Sequence, residues 1–167
     1  MIFLVNDANI LIDLLKIDLI NPFFQMEYGF QVTDMALAEI QEENAANIAG
    51  IIEIGLLTRQ RFTFEELQHI QQIEVENPSL SIADCSCLYL AKKIAATLLT
   101  GDAALRRIAE QKEITVHGIL WVLDEIVAGG LLSEKIMQKK LVQLMALNPR
   151  LPDNECQKRL KLWSKGT

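Results

Sequence analysis

Two short apolar runs set the tightest limit on what this chain can form. Residues 2–5 (IFLV) and 97–100 (TLLT) are each four residues long and lack polar alternation, and helix-length periodic sequence follows each one. A strand of this kind has to be covered on both faces, as in a parallel sheet packed between helices. Residues 30–32 and 114–116 read as two further strands. Helical periodicity follows the first strand through Ile10, Leu11, Leu14 and Leu15, then runs from Asp34 towards Leu57 with Thr33 or Asp34 as N-cap. Thr63 and Glu66 have capping-box spacing and open a helix that Asn77 and Pro78 break, and Ser81 and Asp84 open the next. Gly101 and Asp102 turn into a helix containing Leu105 and Ile108. The apolar helix of residues 119–128 stops at Gly129 and Gly130. Ser133 caps a helix ending before Pro149, and a basic helix runs from about Asp153 to Trp163.

This order, β-α-β-α-α-β-α-β-α, predicts an α/β fold, an α/β/α sandwich with a central, mostly parallel sheet. At 167 residues the chain suits a single domain over 1–167. Its core is expected in about 1–130, and 131–167 form a C-terminal helical extension too short to bury a core alone. No window reaches the ~18 uninterrupted apolar residues of a membrane span, and Asp7 and Asp13 interrupt the first apolar stretch, which has no basic leader. Three cysteines, two of them one residue apart, suit a reduced cytoplasmic chain better than a disulfide framework.

The net charge of −6 is unevenly spread: residues 1–84 hold 14 acidic and 3 basic residues, and residues 85–167 hold 8 and 13. Overall acidity argues against a protein that simply coats nucleic acid, but not against an enzyme that gathers carboxylates around metal ions. In open parallel sheets, ligands bind beyond the carboxyl ends of the strands. Asp7 and Asp102 each follow a strand by one residue, Asp84 stands near a helix start, and Glu39 lies early in the helix after the second strand, with Asp34 a fifth candidate. Four carboxylates on one rim repel each other, and bound hard cations, Mg²⁺ or Mn²⁺, relieve that repulsion. Each acid also has an ordinary alternative role. Asp7 and Asp102 suit helix caps, Asp84 completes a capping box, and Glu39 beside Glu42 and Glu43 suits solvated surface.

Together, Asn6-Asp7-Ala8-Asn9 after the first strand, Glu39 in its helix, Asp84 in Ser81-Ile82-Ala83-Asp84, and Thr100-Gly101-Asp102 with Leu105 resemble the PIN-domain ribonucleases. That family includes the VapC-like toxins of prokaryotic toxin–antitoxin pairs. The resemblance covers roughly residues 1–130 and implies a metal-dependent endoribonuclease. On this reading Asp7, Glu39, Asp84 and Asp102 are catalytic and hold Mg²⁺ or Mn²⁺ that activates water for RNA hydrolysis. Asn9 and Thr100 are neutral donors that orient a ligand water or a carboxylate. The resemblance further implies an RNA substrate, an antitoxin protein as partner and a homodimer, with no membrane association.

Lys92, Arg106 and Arg107 are candidate RNA-binding residues, with Lys158, Arg159, Lys161 and Lys165 further along; solvated helix faces explain these positions equally well. Trp121 reads as core, and Trp163 is open to either reading. Cys85, Cys87 and Cys156 form no zinc set, His69 and His117 have no nucleophile motif, and no Gly-rich phosphate loop occurs. Two alternatives stand beside the nuclease. A haloacid-dehalogenase-type phosphatase also places Asp after its first strand, but its D-x-D is here Asp7-Ala8-Asn9. A non-catalytic PIN-like binding module is the other, and the intact acids speak against it.

Overall fold

The computed structural model describes residues 1–165. Five parallel strands, β1 (Phe3–Asn6), β2 (Gly29–Thr33), β3 (Leu57–Gln60), β4 (Thr97–Leu99) and β5 (Val116–His117), lie in the order β3-β2-β1-β4-β5. Helices flank the sheet as an α/β/α sandwich. The chain starts at the centre, builds outward through β2 and β3, then returns to lay β4 on the other side of β1. That reversal opens a crevice between the carboxyl ends of β1 and β4, where Asn6 pairs with Leu99.

Helices α1 (Ala8–Lys16) and α2 (Ile20–Phe24) connect β1 to β2, and Phe23, Phe24 and Phe30 pack as a tilted aromatic trio, with ring centroids 4.7–4.9 Å apart. The return path runs through α5 (Phe64–Glu76) and α6 (Ile82–Lys93), and α6 lies across β1, β2 and β4. Both helices carry complete capping boxes, Thr63 with Glu66 and Ser81 with Asp84, as their spacing predicts. Helix α7 (Ala103–Gln111) joins β4 to β5, and α8 (Ile119–Ala128) follows.

The expected long helix from Asp34 towards Leu57 is instead three elements: α3 (Asp34–Leu37), α4 (Glu42–Glu53) and the strand β3. Thr33 caps α3, accepting from the Ala36 N–H at 3.0 Å. The turn after it drives Ile40 into the core and leaves Gln41 extended at ψ 154°, so the helix cannot run through. Helix α4 stops at Gly55, whose φ of +84° suits glycine. Strand β3 is an edge strand in which only Leu57 is buried, so it lacks the apolar run that marks the others.

The C-terminal helices α9 (Glu134–Leu147) and α10 (Asp153–Ser164) form a hairpin that adds Met137, Leu141, Leu144, Cys156 and Trp163 to the same core as the sheet. Trp163 is 3% exposed and belongs to that core, whereas Trp121 is only half-buried, the reverse of the emphasis that the sequence suggests. Arg159 clasps the hairpin to α8, donating to both Asp124 carboxylate oxygens at 2.9 and 2.8 Å and to the Glu155 carbonyl at 3.0 Å. Arg159→Leu removes this fork and leaves Asp124 unpaired. The expected loss is ~1–2 kcal/mol, or ~2–8 °C in a chain of this size, read by thermal unfolding. An unchanged melting temperature would mean that apolar contacts alone dock the hairpin.

Candidate active site

The buried polar side chains among the described residues are Asn6, Asp7, Gln31, Thr33, Ser86 and Thr100. All but Gln31 sit at the carboxyl ends of β1, β2 and β4 or in the first turns of α6, at one rim. Burying polar groups costs free energy unless each is satisfied, so their concentration at one edge marks that edge as specialised.

Asp7 stands at the N-cap position of α1, 3% exposed, but its side chain makes no capping hydrogen bond. Instead Oδ2 accepts from the Thr100 hydroxyl at 2.7 Å, and the Asp7 N–H donates to the Leu99 carbonyl at 2.9 Å. These two bonds tie the end of β1 to the end of β4. Burial pushes the Asp7 carboxyl up to about 6; the Thr100 hydrogen bond opposes the rise, and the charges of Asp84 and Glu39 add to it. A carboxylate that caps nothing and is held out of water fits a functional role better than a structural one.

Thr100 is the pivot of the rim. Its Oγ1 also accepts from the Asp102 N–H at 3.0 Å, so one hydroxyl positions both aspartates. Asp102 does cap its helix, accepting from the Leu105 N–H through Oδ1 at 2.8 Å, and it is half-buried. Asp84 likewise serves the α6 capping box, Oδ2 accepting from the Ser81 N–H at 3.0 Å. Its carboxyl is held above the usual range by burial and by the charge of Asp102. The structural and site readings of these two residues are therefore compatible, since each cap engages one oxygen of the pair.

Glu39 stands in the turn after α3 and not within a long helix; it is exposed, and partial desolvation and Asp84 raise its carboxyl. Asp34 is ion-paired to Arg59 of β3. Asn9 is exposed on the first turn of α1 and lines a cleft beside Thr100 and Gly101. Lys92 and Arg107 are exposed on their helices, whereas Arg106 is half-buried and lines the same cleft as Asn9.

Three contributors escape a reading of spacing alone. Asn6 is fully buried; its Nδ2 donates to the Gln31 carbonyl at 3.1 Å, while its Oδ1 has no hydrogen-bond partner. Thr33 and Ser86 share a 2.8 Å hydrogen bond that joins the end of β2 to α6. For Asn6 and Thr33 the only signal in the sequence is a polar residue closing an otherwise apolar strand, which is weak until the neighbouring strand is known, and Ser86, inside α6, gives none.

Among the described residues, no three His, Cys, Asp or Glu side chains are gathered closely enough to hold a metal ion as they stand. The donor chemistry still suits one. The four acids are all oxygen donors and lie in one another's electrostatic field in an unbroken chain, with the buried Cys87 thiol beside Thr33 and Ser86 as a nearby sulfur.

The raised Asp7 carboxyl makes stability fall with pH. Below ~4 the carboxyl is protonated whether the chain is folded or unfolded. As pH rises to about 6 the unfolded chain has released a proton that the folded chain retains, and above that the buried charge opposes folding in full. Asp7→Asn, which keeps an acceptor for Thr100, is therefore expected to raise the metal-free melting temperature at pH 7. The gain is ~3 kcal/mol, or ~6–12 °C, and it disappears near pH 4. A lower melting temperature at pH 7 would make Asp7 a structural residue.

No curated protein matches the chain. A family model, DUF3368, described as a PIN domain, matches residues 3–165, including the C-terminal hairpin that the motif resemblance leaves out. PIN domains are generally nucleases, and those nucleases generally use divalent metals. With that match spanning nearly the whole chain and five parallel strands beneath an acidic rim, the chain belongs to the PIN-domain family.

Proposed function

We propose that the protein is a metal-dependent endoribonuclease whose Asp7, Glu39, Asp84 and Asp102 hold Mg²⁺ or Mn²⁺ at the carboxyl ends of β1 and β4. The observation that carries this reading is Asp7: a buried carboxylate, raised to about 6, that caps no helix and feels Asp84 and Glu39. A divalent ion bound there supplies a more acidic water and neutralises charge on the phosphate under attack. The chain's own residues do the positioning. Thr100 holds Asp7 and the Asp102 backbone in one frame, and the caps fix one oxygen each of Asp84 and Asp102, leaving the other for a ligand. The orphaned Asn6 Oδ1 is an acceptor for a water in the rim.

That the chain is a toxin, with an antitoxin partner and a homodimeric state, rests on the motif resemblance alone, as does a cytoplasmic location. No helix among the described residues is long and apolar enough to cross a membrane. The family assignment speaks against the phosphatase alternative. A second reading, a PIN-like binding module without catalysis, is favoured by one fact: the acids are not drawn into a closed ligand set.

Incubation of single-stranded RNA with the protein separates the two. Cleavage is expected with Mg²⁺ or Mn²⁺, with none in EDTA, and a drop of more than ~100-fold in Asp7→Asn and Asp102→Asn. Asn is itself a good N-cap, so Asp102→Asn should fold normally. At sub-saturating metal, apparent metal affinity and with it cleavage should rise from pH 5 to 7, because Mg²⁺ competes with the proton on Asp7. Folded protein that leaves RNA intact with either metal, and gains no thermal stability from Mn²⁺, would establish the binding module.

A further inference from the structure

A cleft of about 740 Å³ opens beside the acidic rim, between the start of α1, the β4–α7 turn, α8 and the α9–α10 loop. Its volume lies in the ~300–1,000 Å³ range of ligand sites. Thr100 and Gly101 form its inner edge, so it begins one residue from Asp102.

Two features give the cleft a chemical preference. The first is aromatic: His117 and Trp121 stack face to face, with centroids 4.3 Å apart and planes 6° apart, and both line the cleft. Burial, helped by Arg106 and opposed by Glu125, lowers the His117 pKa, which favours the uncharged imidazole in this stack. The second is cationic. Lys16, Arg106, Arg150 and Arg159 line the cleft, against Asp13, Asp124 and Glu155. Arg159 is consumed by Asp124 and Glu155. Lys16, Arg106 and Arg150 then face Asp13 alone, which also accepts from the Asn148 amide at 2.9 Å. Arg106 has only a loose 3.7 Å pair with Glu110, and Gly118 makes room for it: a Cβ there would sit 3.3 Å from Arg106 Nη2.

We infer that this cleft binds the nucleotide of a single-stranded RNA next to the cleaved bond, its base extending the His117–Trp121 stack and its phosphate on Arg106. This rests on the ribonuclease reading above and adds the path that the strand takes from the rim. Stacking on an aromatic ring accepts any base, so the cleft should favour unpaired RNA over duplex.

The test reads binding and cleavage separately. Trp163 is buried, so quenching of intrinsic fluorescence by a short single-stranded RNA, added to Asp7→Asn protein in EDTA, reports Trp121. Saturable quenching is expected, persisting in Trp163→Phe and absent in Trp121→Leu, whose affinity by anisotropy of a labelled RNA should fall about 5- to 100-fold. Arg106→Ala should weaken binding and reduce the slope of log affinity against log salt by ~0.7, the share of one phosphate contact on a single strand, and Arg106→Lys should restore that slope. Duplex RNA and free nucleoside monophosphate should bind more weakly than the strand. If wild-type protein cuts RNA while Trp121→Leu and Arg106→Ala, folded by circular dichroism, bind and cut as well as wild type, the cleft assignment is overturned and the nuclease reading stands. Quenching without any cleavage would uphold RNA binding in the cleft but overturn its place beside a cleaved bond, together with the nuclease reading.

Discussion

The 2.7 Å hydrogen bond between Thr100 and Asp7 joins two strands whose residues are 93 positions apart, and much of the molecule is arranged to make it possible. Asp7 lies where a helix cap belongs, yet its side chain makes no capping hydrogen bond and accepts from Thr100 at the end of β4 instead. The parallel pairing of β1 with β4 brings the two ends together, and the sheet's change of direction leaves space above them. Burial at that point makes the carboxylate costly in the metal-free chain, and the charges of Glu39 and Asp84 add to the cost. Natural chains keep such strain where function requires it.

The rest of the rim reuses ordinary structural devices. The same side chains that open a helix, Asp84 in its capping box and Asp102 at its N-cap, also bring their charge to the rim. This economy explains why no one acid stands out by itself, and why the group is legible only through its placement on the sheet. Arg159 plays the complementary part at the other end of the cleft, neutralising two acids and fixing the hairpin that forms a wall.

Much of this was readable from residue order. The runs at 2–5 and 97–100 announce central parallel strands, the Thr63 and Ser81 boxes locate two helices, and Asp7, Asp84 and Asp102 stand at the element ends that spacing marks, whereas Glu39 lies in a turn and not in the expected helix. Strand β3 was not readable, because an edge strand with one buried residue carries no apolar run and its neighbour α4 supplies helical periodicity up to its door. The break at Ile40 depends on a core contact, which local sequence cannot report. Trp121 and Trp163 mislead for the same reason: ILWVL looks uniformly buried, but one face of α8 opens onto the cleft, while a basic helix hides its one tryptophan. Asn6 Oδ1 escapes notice because its lack of a partner is a fact of three dimensions.

Acids from distant parts of the chain share one electrostatic field, and a bound hard cation would relieve it. Carboxyl carbon NMR of the metal-free protein, titrated with pH and repeated in Mg²⁺, reads that field at Asp7 itself. The expected midpoint is about 6 without metal, lower in Asp84→Asn, with a clear downward shift when Mg²⁺ is added. A midpoint near the ordinary carboxylate value of ~4, indifferent to both Mg²⁺ and Asp84→Asn, would contradict that shared field.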